Sequence, residues 1–107
     1  MTSAGRPQYR ITPHALLGLR DIVHSVEARF GPALAERVLD RFERAFELIA
    51  ERPAIGKARP ELTDRAEIRF WRVGPSLIAY RRVCDTVEVL LVERGERDWA
   101  PLLAKLG

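Results

Sequence analysis

Gly31 and Pro32 stand side by side between two stretches of helical periodicity, and this pair limits the fold more than any other feature of the chain. Before it, apolar residues fall at Ala15, Leu16, Leu19, Ile22, Val23, Val26 and Phe30; after it, at Ala35, Val38, Leu39, Phe42, Ala45, Phe46 and Ile49. Both sets follow the three-and-four spacing of an amphipathic helix. A glycine past the end of one helix and a proline in the first turn of the next leave almost no linker, so the second helix must fold back on the first. Thr12 and Pro13 supply an N-cap and a first-turn proline for the first helix, and Pro53 closes the second. Each predicted helix has about 17 to 19 residues, or about 27 Å of length.

Tyr9, Arg10 and Ile11 alternate briefly and predict a short strand ahead of this hairpin. Beyond it Pro53, Gly56, Pro60 and mixed charges break any period, which predicts a crossover loop over 52–64. Three strands follow, over 67–73, 77–83 and 86–92. Their connections, at Gly74, Pro75 and Ser76 and at Cys84 and Asp85, are too short for anything but antiparallel hairpins. Strands of about 7 residues reach about 23 Å, a fair match to the helices. Asp98 is the predicted N-cap of a short closing helix carrying Trp99, Leu102, Leu103 and Leu106. The expected fold is therefore α+β: an N-terminal strand, a helical hairpin packed on an antiparallel meander, and a short C-terminal helix. A hydrophobic content of 47% suits one core, so 1–107 reads as a single domain, with 1–8 flexible.

Side-chain alternation in the last strand puts Val87, Val89 and Leu91 on the inward face and leaves Glu88 with Leu90 and Val92 on the other. The two earlier strands carry large apolar groups on both faces. A second covering layer is expected, either from the C-terminal segment or from a partner.

Charge is uneven along the chain. The stretch 65–82 holds Arg65, Arg69, Arg72, Arg81 and Arg82 against Glu67 alone, a net +4; the whole chain carries +3, which leaves −1 for the remainder. Guanidinium forks interleaved with Phe70, Trp71 and Tyr80 suit phosphate or carboxylate recognition. The plainer reading is a solvated strand face with cross-strand pairs such as Arg72 with Glu88, and Trp71 and Tyr80 as core. His14 and His24 are ten residues apart on one helix, about 15 Å along its axis, and cannot share a metal. No metal or cofactor is expected. Neither Ser25 nor Ser76 sits in a nucleophile elbow. The lone Cys84 fits a reducing compartment, and no membrane-length apolar run or secretory signal is seen, so the expected location is the cytoplasm.

The order of parts resembles a known family: the entry into Ile11, Thr12, Pro13 and Ala15; Phe46, Leu48 and Pro53 before Gly56 and Arg59; Val73 and Gly74 through Ile78, Ala79, Tyr80 and Arg81; then Val89 to Val92 with Gly95, Arg97 and Asp98. This is similar to the ParE/RelE toxin superfamily of type II toxin–antitoxin modules, and more to its ParE branch, over nearly all of 9–103. The resemblance implies a bacterial toxin neutralised by a cognate antitoxin, a ribbon-helix-helix protein with an acidic C-terminal tail, in an assembly such as a heterotetramer. On the ParE branch it implies DNA gyrase as the target, poisoned without catalysis; on the RelE branch, mRNA cut on the ribosome. RNA-cleaving relatives combine basic residues on the sheet with a histidine or tyrosine near the C-terminus. Here Arg94 stands about where histidine is common and no tyrosine follows Tyr80; a guanidinium holds its proton too tightly to be a good general base. The expectation is thus a gyrase-directed binder with no catalytic residue. The alternatives are a nuclease built on Arg72, Arg81 and Arg94, or a non-toxic protein- or nucleic-acid-binding domain. The surface expected to meet antitoxin or target comprises Arg65, Arg69, Trp71, Arg72, Tyr80, Arg82, Arg94, Arg97 and Trp99.

Overall fold

The computed structural model describes residues 8–106. In chain order the elements are β1 (Gln8–Ile11), α1 (Pro13–Phe30), α2 (Pro32–Glu51), β2 (Arg69–Val73), β3 (Ser76–Val83), β4 (Thr86–Arg94) and α3 (Trp99–Ala104). The α+β architecture expected from the sequence is present. The fraying expected for 1–8 lies outside the described residues except at Gln8, which opens β1 in register with Thr86.

The helix boundaries follow local chemistry. The Thr12 hydroxyl accepts a hydrogen bond from the Ala15 amide, and Pro13 occupies the first turn. Gly31 stops α1 at φ 95°, its amide bonded to the Glu27 carbonyl, and α2 begins at once with Pro32. At α3, Asp98 holds the capping position without making the expected side-chain hydrogen bond.

The four strands lie in the order β1-β4-β3-β2. The last three form the antiparallel meander, and β1 adds to β4 in parallel, with Ile11 opposite Val89. This places β2 at an open edge. α1 crosses β4 so closely that a Cβ on Gly18 would stand 1.9 Å from the Val92 carbonyl oxygen, so only glycine fits there.

Two cores flank the sheet. Between helices and sheet, Ala15, Leu19, Phe42, Phe46 and Ile49 meet Ile78, Tyr80, Val87, Val89 and Val92. On the opposite face Ile68, Phe70, Leu77, Ala79, Leu90 and Leu91 are covered by Trp99 and Leu103, with Leu62, Leu102 and Leu106 at the margin. The chain's own C-terminal segment and crossover loop therefore supply the second layer. Leu91 departs from the expected alternation because Ala79 pairs with Leu91 while Tyr80 pairs with Val89. The extra residue, Leu90, is a β-bulge that reverses which side chains face the helices.

The cross-strand pair expected between Arg72 and Glu88 does not form, because β2 and β4 are separated by β3. Glu88 instead binds Arg81, with Nε 2.9 Å from Oε1, and Arg10 across the parallel pairing. Burial alone would push the Glu88 carboxyl up; the hydrogen bonds and charges of Arg81 and Arg10 outweigh it and hold it below the ordinary glutamate value. A lowered carboxyl stabilises the fold above its unfolded-state pKa of about 4.3, and that contribution disappears as pH falls through the lower folded value. Because Arg10 and Arg81 keep contact with water, the expected share is modest, about 1–2 kcal/mol. Urea titrations from pH 7 to pH 3 should show this loss in the native chain and a flatter profile in Glu88→Gln; parallel profiles would mean that Glu88 is not the linked group.

Candidate partner-docking site

The basic residues of 65–82 divide between the two ends of the β2–β3 hairpin, and the ends differ in kind. At the end away from the turn every guanidinium has a partner. Arg65 Nε lies 3.2 Å from Glu67 Oε2, Arg69 Nη1 donates to the Gly56 carbonyl at 2.8 Å, Arg81 binds Glu88, and Arg82 donates to the Cys84 carbonyl at 3.1 Å, with Asp85 beyond it. These groups fasten loops and strands to one another.

At the turn end, Arg72 is joined by Arg41 and Arg44 of α2, which line one shallow cleft with Ala45, Leu48, Trp71, Val73 and Gly74. Among the described residues the side chains of Arg41, Arg44 and Arg72 have no ion pair and no hydrogen-bond partner. A Cβ on Gly74 would stand 3.5 Å from Arg41 Nη2, and one on Gly95 would stand 3.4 Å from Arg72 Nη1. The glycines of the two loops thus give the guanidiniums room to lie across them. Arg94 and Arg97 stand nearby but are engaged, Arg94 with Glu96 at 2.6 Å and Arg97 with Glu93 at 3.2 Å.

The same place offers an unfinished sheet edge. Phe70 exchanges both backbone hydrogen bonds with Lys57, at 2.8 and 3.0 Å, and there the covering chain turns away. Antiparallel ladders alternate, so two residues on the Arg72 amide and carbonyl also point outward. Among the described residues no backbone group pairs with them. An open edge, three unpaired guanidiniums and the half-buried Trp71 together can receive an extended acidic segment.

Other expected site residues sit elsewhere. Tyr80 is 1% exposed, its hydroxyl donating to the Pro53 carbonyl and accepting from the Gly56 amide, each at 2.8 Å. Burial pushes its phenol up, against the opposing Gly56 hydrogen bond and Arg69 charge, so it stays protonated and ties the crossover loop to the sheet. Trp99, also 1% exposed, packs edge-on against Phe70 and donates to the Arg94 carbonyl at 3.0 Å. Both rings were expected on the contact surface and both are core instead. The nuclease set does not converge: Arg81 lies four positions along β3 from Leu77, the partner of Arg72, a separation of about 13 Å. Among the described residues no group of three or more potential metal ligands is found, and no helix is long and apolar enough to cross a membrane.

Residues 9–99 match the sequence profile described as the ParE toxin of the type II toxin–antitoxin system parDE. The chain belongs to the ParE toxin family. It is a toxin of a type II toxin–antitoxin system. Its fold is similar to that in the chromosomal ParDE toxin–antitoxin system of P. aeruginosa, with a TM-score of 0.71, 17% identity, and coverage of 85% of this chain and 98% of the other. It is also similar to that in the RelBE2 toxin–antitoxin complex of Mycobacterium tuberculosis, with a TM-score of 0.57, 24% identity, and coverage of 83% and 98%. No curated protein matches the sequence. In this ParE-family chain the sequence pattern pointed to Arg72, Arg94 and Arg97 at the turn end of the sheet but passed over Arg41 and Arg44. A signal for them existed: Arg37, Arg41 and Arg44 follow the i, i+4, i+7 stripe of α2, apart from Glu36, Asp40, Glu43 and Glu47 on a neighbouring stripe. Glu43 and Glu47 face Tyr9 at the β1 side, where burial and then these carboxylates push its phenol up.

Proposed function

We propose that this ParE-family toxin acts by binding rather than by cutting, with DNA gyrase as its cytoplasmic target, and that an acidic segment of a cognate antitoxin neutralises it at the cleft of Arg41, Arg44 and Arg72. The observation that carries the antitoxin half is the set of unpaired guanidiniums beside the open edge of β2. A nucleic acid could use the charges, but an extended polypeptide can also continue the sheet ladder by pairing with both Arg72 backbone groups as a further strand. The solved folds it resembles come from toxin–antitoxin assemblies, which supports a partner of this kind, whether or not a ribbon-helix-helix domain and a heterotetramer accompany it. For the mode of action, Tyr80 is locked in the core, Arg81 is neutralised by Glu88, and Arg94 is engaged by Glu96, an arrangement that favours gripping over proton transfer. Toxin added to gyrase and relaxed plasmid should block supercoiling or trap cleaved DNA; no effect at micromolar excess would overturn the gyrase assignment.

One observation favours a second reading. Lys57, Arg59 and Arg72 line a further cleft with Phe70, Trp71 and Leu77, a basic and aromatic surface of the sort that holds single-stranded RNA. Codon-phased cuts in mRNA mapped after induction would establish this ribosome-dependent endonuclease in place of the gyrase binder. Unimpaired growth on induction without antitoxin would instead leave a non-toxic binding domain.

A further inference from the structure

α1 outruns the sheet. Gly18 lies against the Val92 carbonyl, close to where β4 ends at Arg94, whereas α1 continues to Phe30, about 18 Å further along its axis. The last turns of α1 and the first of α2 therefore project beyond the sheet as an overhang. Phe30, 66% exposed, is the most exposed large apolar side chain among the described residues. Just behind it, Ile22, Val26, Phe42 and Val73 wall a cavity of about 190 Å³ between the overhang and the turn end of the sheet. A cavity of roughly 150 Å³ accommodates one benzene ring. The chain thus presents an exposed ring and, beside it, a hollow of one-ring size that this ring does not fill.

Charge on the same helix has a matching pattern. Asp21, Ser25 and Arg29 are exposed and follow one another at four-residue steps, which makes them a ridge along one side of α1. Asp21 and Arg29 lie about 12 Å apart along the axis, too far to meet. Among the described residues neither side chain has an ion pair or hydrogen bond. A second α1 laid antiparallel about a two-fold axis at Ser25 brings each Asp21 to the level of the partner's Arg29, and the small serine lets the helices approach. The same operation sets each Phe30 within one turn of the partner's Ile22, at the wall of its cavity. We propose that the free toxin forms a two-fold homodimer through this overhang, each Phe30 entering the partner's cavity and each Asp21 pairing with the partner's Arg29. The other charges of the lining agree with this register. Glu93 and Arg97 pair at 3.2 Å and Arg94 is engaged by Glu96 at 2.6 Å, which leaves Asp21 and Arg41 as the unpaired charges around the cavity. Arg41 stands across it on α2, where it repels an incoming Arg29 and directs it to Asp21. Each patch meets its own copy, so the contact closes at two chains and needs no antitoxin.

Sedimentation velocity of the full chain without antitoxin should show a monomer–dimer equilibrium in the micromolar range, the strength of a small interface. Asp21→Arg and Arg29→Asp should each weaken it by about tenfold or more, because each turns two attractions into repulsions. The double variant, with both changes, should return to within about threefold of native. Phe30→Ser should weaken dimerisation by about 30-fold or more, as for loss of a buried anchor, with thermal unfolding of the dilute monomer unchanged. In a Cys84→Ser chain, Ser25→Cys should oxidise to a disulfide-linked dimer, since the axis passes beside it, whereas the exposed Leu17→Cys should not. A monomer at every concentration would overturn the dimer. Single charge reversals without effect, a double variant that fails to recover, or equal cross-linking at both positions would overturn this surface and its register.

Discussion

Replacing Arg41, Arg44 and Arg72 together with alanine is expected to weaken antitoxin binding by about a thousandfold at low salt, whereas Arg65→Ala combined with Arg82→Ala should change it less than about threefold. The contrast follows from what each guanidinium already does. Arg65 and Arg82 are satisfied within the chain, by Glu67 and by the Cys84 carbonyl, so a partner's carboxylate would have to displace an existing contact. Arg41, Arg44 and Arg72 have no such contact to lose. A charge-assisted hydrogen bond contributes about 1.5–3 kcal/mol and a factor of ten corresponds to about 1.4 kcal/mol, so three of them give the thousandfold loss at the low end of that range. Exposed charges are screened within about 8 Å at physiological ionic strength, so affinity of the native toxin should fall as salt rises and the triple variant should respond less. Titration calorimetry at two salt concentrations measures both effects. Equal losses from the two sets of substitutions would mean that the whole hairpin, not its turn end, is the contact.

The helical hairpin and the meander were legible because each is set by local chemistry. Gly31 and Pro32 punctuate two clear periods, and loops of two or three residues can only reverse a strand. β1 was visible as a strand, but its parallel place beside β4 was not, since Ile11 and Val89 are brought together across most of the chain and no periodicity encodes that pairing. The bulge at Leu90 was hidden for a related reason: alternation in a fully buried strand of Val and Leu carries no mark of where it slips. The site was legible in part. Excess charge in 65–82 marked the hairpin that carries Arg72, yet charge along the sequence could not separate guanidiniums that fasten loops from those left open. That distinction depends on where Gly56, Glu88 and Cys84 come to lie. Arg41 and Arg44 belong to a charged flank of α2 that nothing in the sequence sets apart as a site, and only the fold brings Gly74 beside Arg41.

Trp99 provides the sharpest test of the division between core and contact surface. Trp99→Ala is expected to cost about 3–5 kcal/mol, the usual range for deleting a large buried aromatic. It would remove the edge-on contact with Phe70, at a centroid distance of 6.0 Å, together with the lid over Leu77 and Leu91. The indole bond to the Arg94 carbonyl would also go, leaving that carbonyl to water. For a chain of this size total stability is about 5–15 kcal/mol, so the loss is about a fifth of it or more, and the melting temperature should fall by more than about 10 °C. Were Trp99 a contact residue, stability would hold and antitoxin affinity would collapse. With the ring in the core the opposite is expected: at a temperature where the variant remains folded, affinity per folded molecule should stay within a few-fold of native, because the edge of β2 and the three open guanidiniums lie outside this second core. Thermal unfolding and calorimetry on the same sample decide between them, and an affinity loss without a fall in melting temperature would return Trp99 to the docking surface.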